Sequence, residues 1–151
     1  MRTYSLPAAV IVSFALVGCG PKAEPKVRVS GRLLDNGQPF TADSAKLKLP
    51  KGTSLPPGVQ PLQVMFIPVE TGETYIATVT DASAGKFELT GSDGKGVKPG
   101  KYKVSVQVNT GPGTPDALGG KFSPEKTTIT REVREGEELV IDLAQFKKAG
   151  K

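Results

Sequence analysis

From Val27 onward, short apolar runs alternate with turn residues, and none of them makes a convincing amphipathic helix. "VRVSGRLL" (27–34) runs into Asn36-Gly37, a strand followed by a tight-turn signal. "LQVMFIPV" (62–69) is apolar on both faces, the pattern of a central strand in a two-layer sheet structure. "TYIATVT" (74–80) follows a Glu-Thr-Gly turn, and "KFELT" (86–90) follows a turn of small residues. The clearest alternation is "KYKVSVQV" (101–108), with Tyr102, Val104, Val106 and Val108 on one face. Lys101, Lys103, Ser105 and Gln107 take the other face. "TTITREV" (127–133) and "ELVIDL" (138–143) complete the series, the latter with Leu139, Ile141 and Leu143 inward. About seven short strands with frequent turns predict an all-β fold, a single Greek-key β-sandwich. Two stretches break the spacing: Phe40–Pro61, with a candidate extra strand at 46–49, and Asn109–Lys126. Long loops on a rigid sheet scaffold are where binding usually sits, so both are candidate binding loops.

The apolar pattern differs ahead of this body. Arg2 is the one charge before the run Leu6–Val17, an apolar core of about a dozen residues. That is short of the ~20 residues a spanning helix needs and fits the core of a secretory leader. The run ends Leu16-Val17-Gly18-Cys19, and Cys19 is the only cysteine of the chain. These four residues resemble the bacterial lipobox: an aliphatic residue three before the cysteine and a small one just before it. The resemblance implies cleavage after Gly18, a diacylglyceryl thioether on Cys19 and a further acyl chain on the new amino group. Two or more chains hold a protein on a bilayer far more firmly than one myristoyl group does. The alternative is a plain leader with an incidental cysteine; a disulfide within one copy has no second thiol. Gly20, not aspartate, follows the cysteine, which by resemblance to the usual sorting rule implies the outer membrane. The expected organisation is a cleaved leader at 1–18, a lipidated cysteine and tether at 19–26, a β domain at 27–146 and a disordered tail at 147–151. Pro21 and Pro25 favour an extended tether, and seven residues reach at most about 23 Å.

Composition narrows the chemistry. Among 151 residues there are 18 glycines and 13 prolines, with no tryptophan and no histidine. The net charge of +5 is scattered rather than gathered into a stripe, which argues against nucleic acid as a partner. Without histidine, Ser-His-Asp and Cys-His catalysis and histidine-based metal sites are excluded. Glu132, Glu135, Glu137 and Glu138 flank Gly136 and read as a solvated hairpin. "GSDGKGVKPGK" (91–101) is glycine-rich but fails the phosphate-loop pattern and leads into a strand, so it reads as turns that launch the next strand. Asp35, Asp81, Asp93 and Asp116 sit in loops as weak calcium candidates, but no loop has the required acidic spacing. Exposed aromatic platforms for carbohydrate are few; Tyr102 shares a face with three valines and reads as core with its hydroxyl at the rim. No cofactor, metal or catalytic constellation is expected.

The blocks "VSGRLLDNGQP", "VMFIPVE", "TDASAGKFEL", "GKGVKPGKYKVSV", "GGKFSPEKTTITREV" and "ELVIDL" occur in an order that resembles planctomycete-type small lipoproteins. Their domain is similar to the carboxypeptidase regulatory-like, transthyretin-like sandwich, and the resemblance covers nearly all of 27–146. It implies a fold and an envelope location, and no reaction. One departure stands out: such domains commonly carry an Asp-x-Asp-Gly-x-Phe turn, whereas Asp81 to Phe87 here reads DASAGKF, without the second acid. The expectation is a non-enzymatic structural or interaction module, membrane-anchored through Cys19, with an envelope protein or glycan as partner. The alternative is a surface glycan- or peptide-binding module using loops 40–61 and 109–126.

Overall fold

The computed structural model describes residues 25–42, 61–70, 72–111 and 113–147. Their elements run β1 (Val29–Asp35), β2 (Gln38–Pro39), β3 (Leu62–Pro68), β4 (Tyr75–Asp81), β5 (Lys86–Leu89), β6 (Gly100–Val108), β7 (Thr130–Val133), β8 (Leu139–Asp142) and α1 (Ala144–Lys147). All seven predicted strands are present; the candidate strand at 46–49 lies outside the described residues. Two elements were not anticipated. Asn36 (φ 54°) and Gly37 (φ 73°) both adopt the left-handed conformation of a two-residue hairpin turn, which folds β2 back on β1. The sequence reading allowed no helix, yet α1 forms a single turn whose first N–H, that of Ala144, is accepted by Asp142 Oδ1 at 3.0 Å. Four residues are too few to show a helical period, so only the capping acid hinted at it.

The strands form one curled, mainly antiparallel sheet in the order β2-β1-β5-β4-β3-β6-β7, with β8 parallel to β1. The curl is made in β4. Its first half, Tyr75–Ala77, pairs with β3, and its second half, Thr78–Asp81, pairs with β5, with a register shift between Val79 and Asp81. A bulge of this kind increases local twist and bends the strand from one part of the sheet into the other.

The concave side holds the core. Leu33, Val64, Phe66, Phe87, Leu89, Val104, Val106, Val108, Ile129 and Ile141 are all buried there. Phe66 packs tilted against Phe87, with ring centres 5.9 Å apart, and edge-on at 6.2 Å from Tyr102, tying β3, β5 and β6 together. Each such side chain, fully removed from water, contributes about 1.5–3 kcal/mol. β3 is central, between β4 and β6, but its two faces differ: Leu62, Val64 and Phe66 are buried, whereas Gln63, Met65 and Ile67 are half-buried. The alternation along β6 holds for Tyr102, Val104, Val106 and Val108, with one correction. Ser105, expected on the polar face, is fully buried, and its hydroxyl has no hydrogen-bond partner. Leaving a buried hydroxyl unpaired costs about 1–3 kcal/mol.

The strand directions give the molecule two ends. β1 starts, β3 and β7 finish and β6 starts at one of them, since Pro68 faces Tyr102 and Val133 faces Gly100. The opposite end gathers the Asn36-Gly37 turn, the β4–β5 turn, the finish of β6 and helix α1. The nine residues of β6 separate the two ends by about 27 Å.

Candidate functional site

Leu16, Val17, Gly18 and Cys19 lie outside the described residues, as do 21–24, 43–60 and 148–151. What the structure places is the point where the N-terminal segment joins the domain. Val27 exchanges both backbone hydrogen bonds with Val97, each at 2.9 Å, and buries its side chain. Lys26 Nζ reaches Asp93 Oδ2 at 2.7 Å. The acceptor is the "GSDGKGVKPGK" loop, which forms successive turns rather than a phosphate cradle and releases the chain into β6 at Gly100. Gly96 adopts φ 114°, and a Cβ there would lie 2.5 Å from the Val27 carbonyl oxygen, so glycine is required for the two segments to touch. The ion pair is exposed, and it raises the Lys26 pKa and lowers that of Asp93 through their shared hydrogen bond. Sequence reasoning saw the turns in this loop and missed what they hold. The pairing runs between residues nearly seventy apart, and local patterns carry no sign of it.

Beside this junction is a shallow cleft of about 170 Å³ between Pro68–Glu70 and Lys98–Tyr102. Tyr102 is buried and donates its hydroxyl to the Lys98 carbonyl at 2.6 Å, the core-with-rim placement expected of it. Burial, helped by Tyr75, raises its pKa. The cleft is below the ~300 Å³ at which small-molecule sites begin.

At the opposite end, the described termini of the two long loops come together. Asn109 N–H donates to Pro61 O at 2.9 Å, so the end of the 40–61 segment and the start of 109–126 meet. The 109–126 loop is organised around one carboxylate. Asp116 Oδ1 accepts from Val108 N–H at 2.8 Å and Leu118 N–H at 3.1 Å, and Oδ2 accepts from Gly120 N–H at 3.0 Å. From Phe122 the chain then returns along β6, where Val106 N–H donates to Phe122 O and Thr127 Oγ1 caps Val104 O. Phe122, Ser123 and Thr127 are buried, so this half of the loop belongs to the core rather than to a free surface.

The four loop aspartates are not gathered. Asp81 accepts from Ser83 N–H, Ser83 Oγ and Ala84 N–H, which holds the β4–β5 turn and lowers its pKa, the Ser83 hydroxyl first. Asp93 holds Lys26 and Lys95 N–H, Asp35 pairs with Lys147 at the end of α1, and Asp116 organises its own loop. Among the described residues no three His, Cys, Asp or Glu side chains come together to hold a metal ion. The glutamates at the β7–β8 turn are exposed; Glu132 pairs with Arg134 and Glu138 with Arg32. No protein-family model, curated protein or solved structure matches this chain.

Proposed function

We propose that this chain is a non-catalytic envelope lipoprotein, anchored through a lipid on Cys19, whose β domain is a Greek-key sandwich of the transthyretin-like kind and serves as a structural or interaction module. The observation that carries the reading is Leu16-Val17-Gly18-Cys19 at the end of a leader-like apolar run, followed by a proline-bearing stretch. The geometry agrees with it in one respect. The chain enters the domain at Lys26 and Val27, at the end opposite the 109–126 loop. The 109–126 loop begins about 27 Å from that entry point, the length of β6. The test is to replace Cys19 with alanine in the full chain and fractionate cells. The variant moves from membranes to the soluble fraction; a variant that still pellets overturns the anchor.

A second reading has its own support. Because Asn109 and Pro61 are hydrogen-bonded, the end of one candidate loop and the start of the other adjoin, and a glycan or peptide bound at that point would touch both. Pull-down from envelope extracts, with and without residues 111–120 shortened, tests it. A partner lost on shortening promotes this reading, and identical captures remove it.

A further inference from the structure

β7 closes one end of the curled sheet and β8, laid against β1, the other, and among the described residues no ladder joins them. In the antiparallel β6–β7 pairing, Val104 N–H bonds Ile129 O, so the backbone groups of Arg131 and Val133 also face β6. The N–H and C=O of Thr130 and Glu132 are left on the outer edge. In the parallel β1–β8 pairing, Leu143 N–H bonds Leu34 O, so residues 139 and 141 face β1 and Val140 and Asp142 point outward. Each molecule thus carries two short strand edges with unladdered donors and acceptors. Edges of this kind are templates for adding another strand, and natural sheets block them with charge.

One side chain occupies both edges. Arg131 Nε donates to Val140 O at 3.1 Å across the seam, and its Nη1 donates to Thr130 O at 2.8 Å on its own strand. The guanidinium carbon sits 5.5 Å from the centre of the Phe146 ring, which fixes its plane over α1. A planar fork of fixed geometry satisfies two carbonyls at once, which a lysine ammonium on a flexible stem does not reproduce.

We propose that Arg131 is a latch that closes the seam between the terminal strands and keeps the domain from taking a strand from a second copy of itself. In a solution of this chain, the partner with matching outward N–H and C=O groups is another copy's β7 or β8. The proposal does not depend on the lipid anchor.

The experiment compares the full wild-type chain with Arg131→Met and Arg131→Ala in one detergent, by light scattering after size-exclusion and by amide exchange. Arg131→Met keeps the stem over Phe146 but has no donors. The expected result is one protein copy per particle for the wild type and at least two for Arg131→Met, with slowed exchange at Thr130, Glu132, Val140 and Asp142 in the variant. Arg131→Lys falls between them. Monomeric Arg131→Met and Arg131→Ala at millimolar concentration overturn the proposal, as does a wild type already dimeric through these amides. Should both variants unfold, the wild type still decides. An Arg131 Nε–H exchanging as fast as an exposed arginine's overturns the latch, and a protected one supports it.

Discussion

The two ends of the sheet are held by different means. Where the N-terminal segment joins, a backbone bridge at Val27–Val97 is reinforced by an exposed lysine–aspartate pair. At the opposite end, carboxylates accept backbone N–H groups: Asp116 takes three, Asp142 takes those of Asn36, Gly37 and Ala144, and Asp81 holds its own turn. The difference follows from what each end must order. A long loop with many free N–H groups needs acceptors at several points, and one carboxylate offers up to about four lone-pair sites. A single segment already paired through its backbone needs only fixing in place, and an exposed ion pair adds little stability. The loop end should accordingly be sensitive to one carboxylate and the joining end to backbone shape.

The largest effect expected from that contrast is at Asp116. Replacing it with alanine strands three N–H groups and should cost about 2–3 kcal/mol in urea unfolding. Asp116→Asn, which retains an acceptor oxygen, should lose less. If Asp116→Ala unfolds at the wild-type midpoint, the carboxylate is not what organises the loop. Gly96→Ala comes next, at about 1–2 kcal/mol, because alanine is strained at φ 114° and its Cβ collides with the Val27 carbonyl. Its signature is local: limited proteolysis should cut near Lys26 while the amides of β6 stay protected. Unchanged cutting there would mean that Val27 is held by something other than its fit against Gly96.

pH gives the smallest and most discriminating effect. Asp81 and Asp93 both have pKa values lowered from 3.8, so their contributions are full above that pH and are lost as pH falls through the lowered values. Acid therefore loosens both ends. Alkali acts differently. The Lys26 pKa is raised from 10.5, so its contribution is present below that pH and lost as pH rises through the raised value. Tyr102, raised from 10.0 by burial, ionises earlier in the unfolded chain, so stability also falls from about that pH upward. Amide exchange at pH 11 should quicken around residues 26–28 and 93–102 before it does around 116–120. The reverse order would sink the assignment of the ion pair and the tyrosine to one end.

Much of the fold was legible in the sequence because strand faces are written at a period of two. Tyr102, Val104, Val106 and Val108 could be placed inward from spacing alone, and they are buried. The Asn36-Gly37 turn was equally plain, since few residues adopt positive φ at two successive positions. Other features were not legible, for identifiable reasons. Ser105 obeys the alternation and is nevertheless buried, because exposure depends on what a distant segment covers. The loop aspartates looked like possible ligands in the sequence, but each carboxylate is engaged elsewhere: Asp81, Asp93 and Asp116 bind nearby backbone N–H groups, and Asp35 pairs with Lys147. Arg131 falls within the predicted strand 127–133, and nothing near it in sequence predicts Val140 O as its partner.

By itself, then, the sequence determined seven of the eight strands, most of their inward faces and where the turns fall. These are local properties, set by side-chain alternation and backbone preference within a few residues. Tertiary structure alone decided that β4 bends the sheet into a curl, that β8 joins in parallel, that Lys26 and Val27 dock on the 91–99 loop, and that one arginine spans the seam between the terminal strands. Each of those rests on contacts between segments far apart in the chain, where the partner's position, rather than the residue's own character, determines what the side chain does.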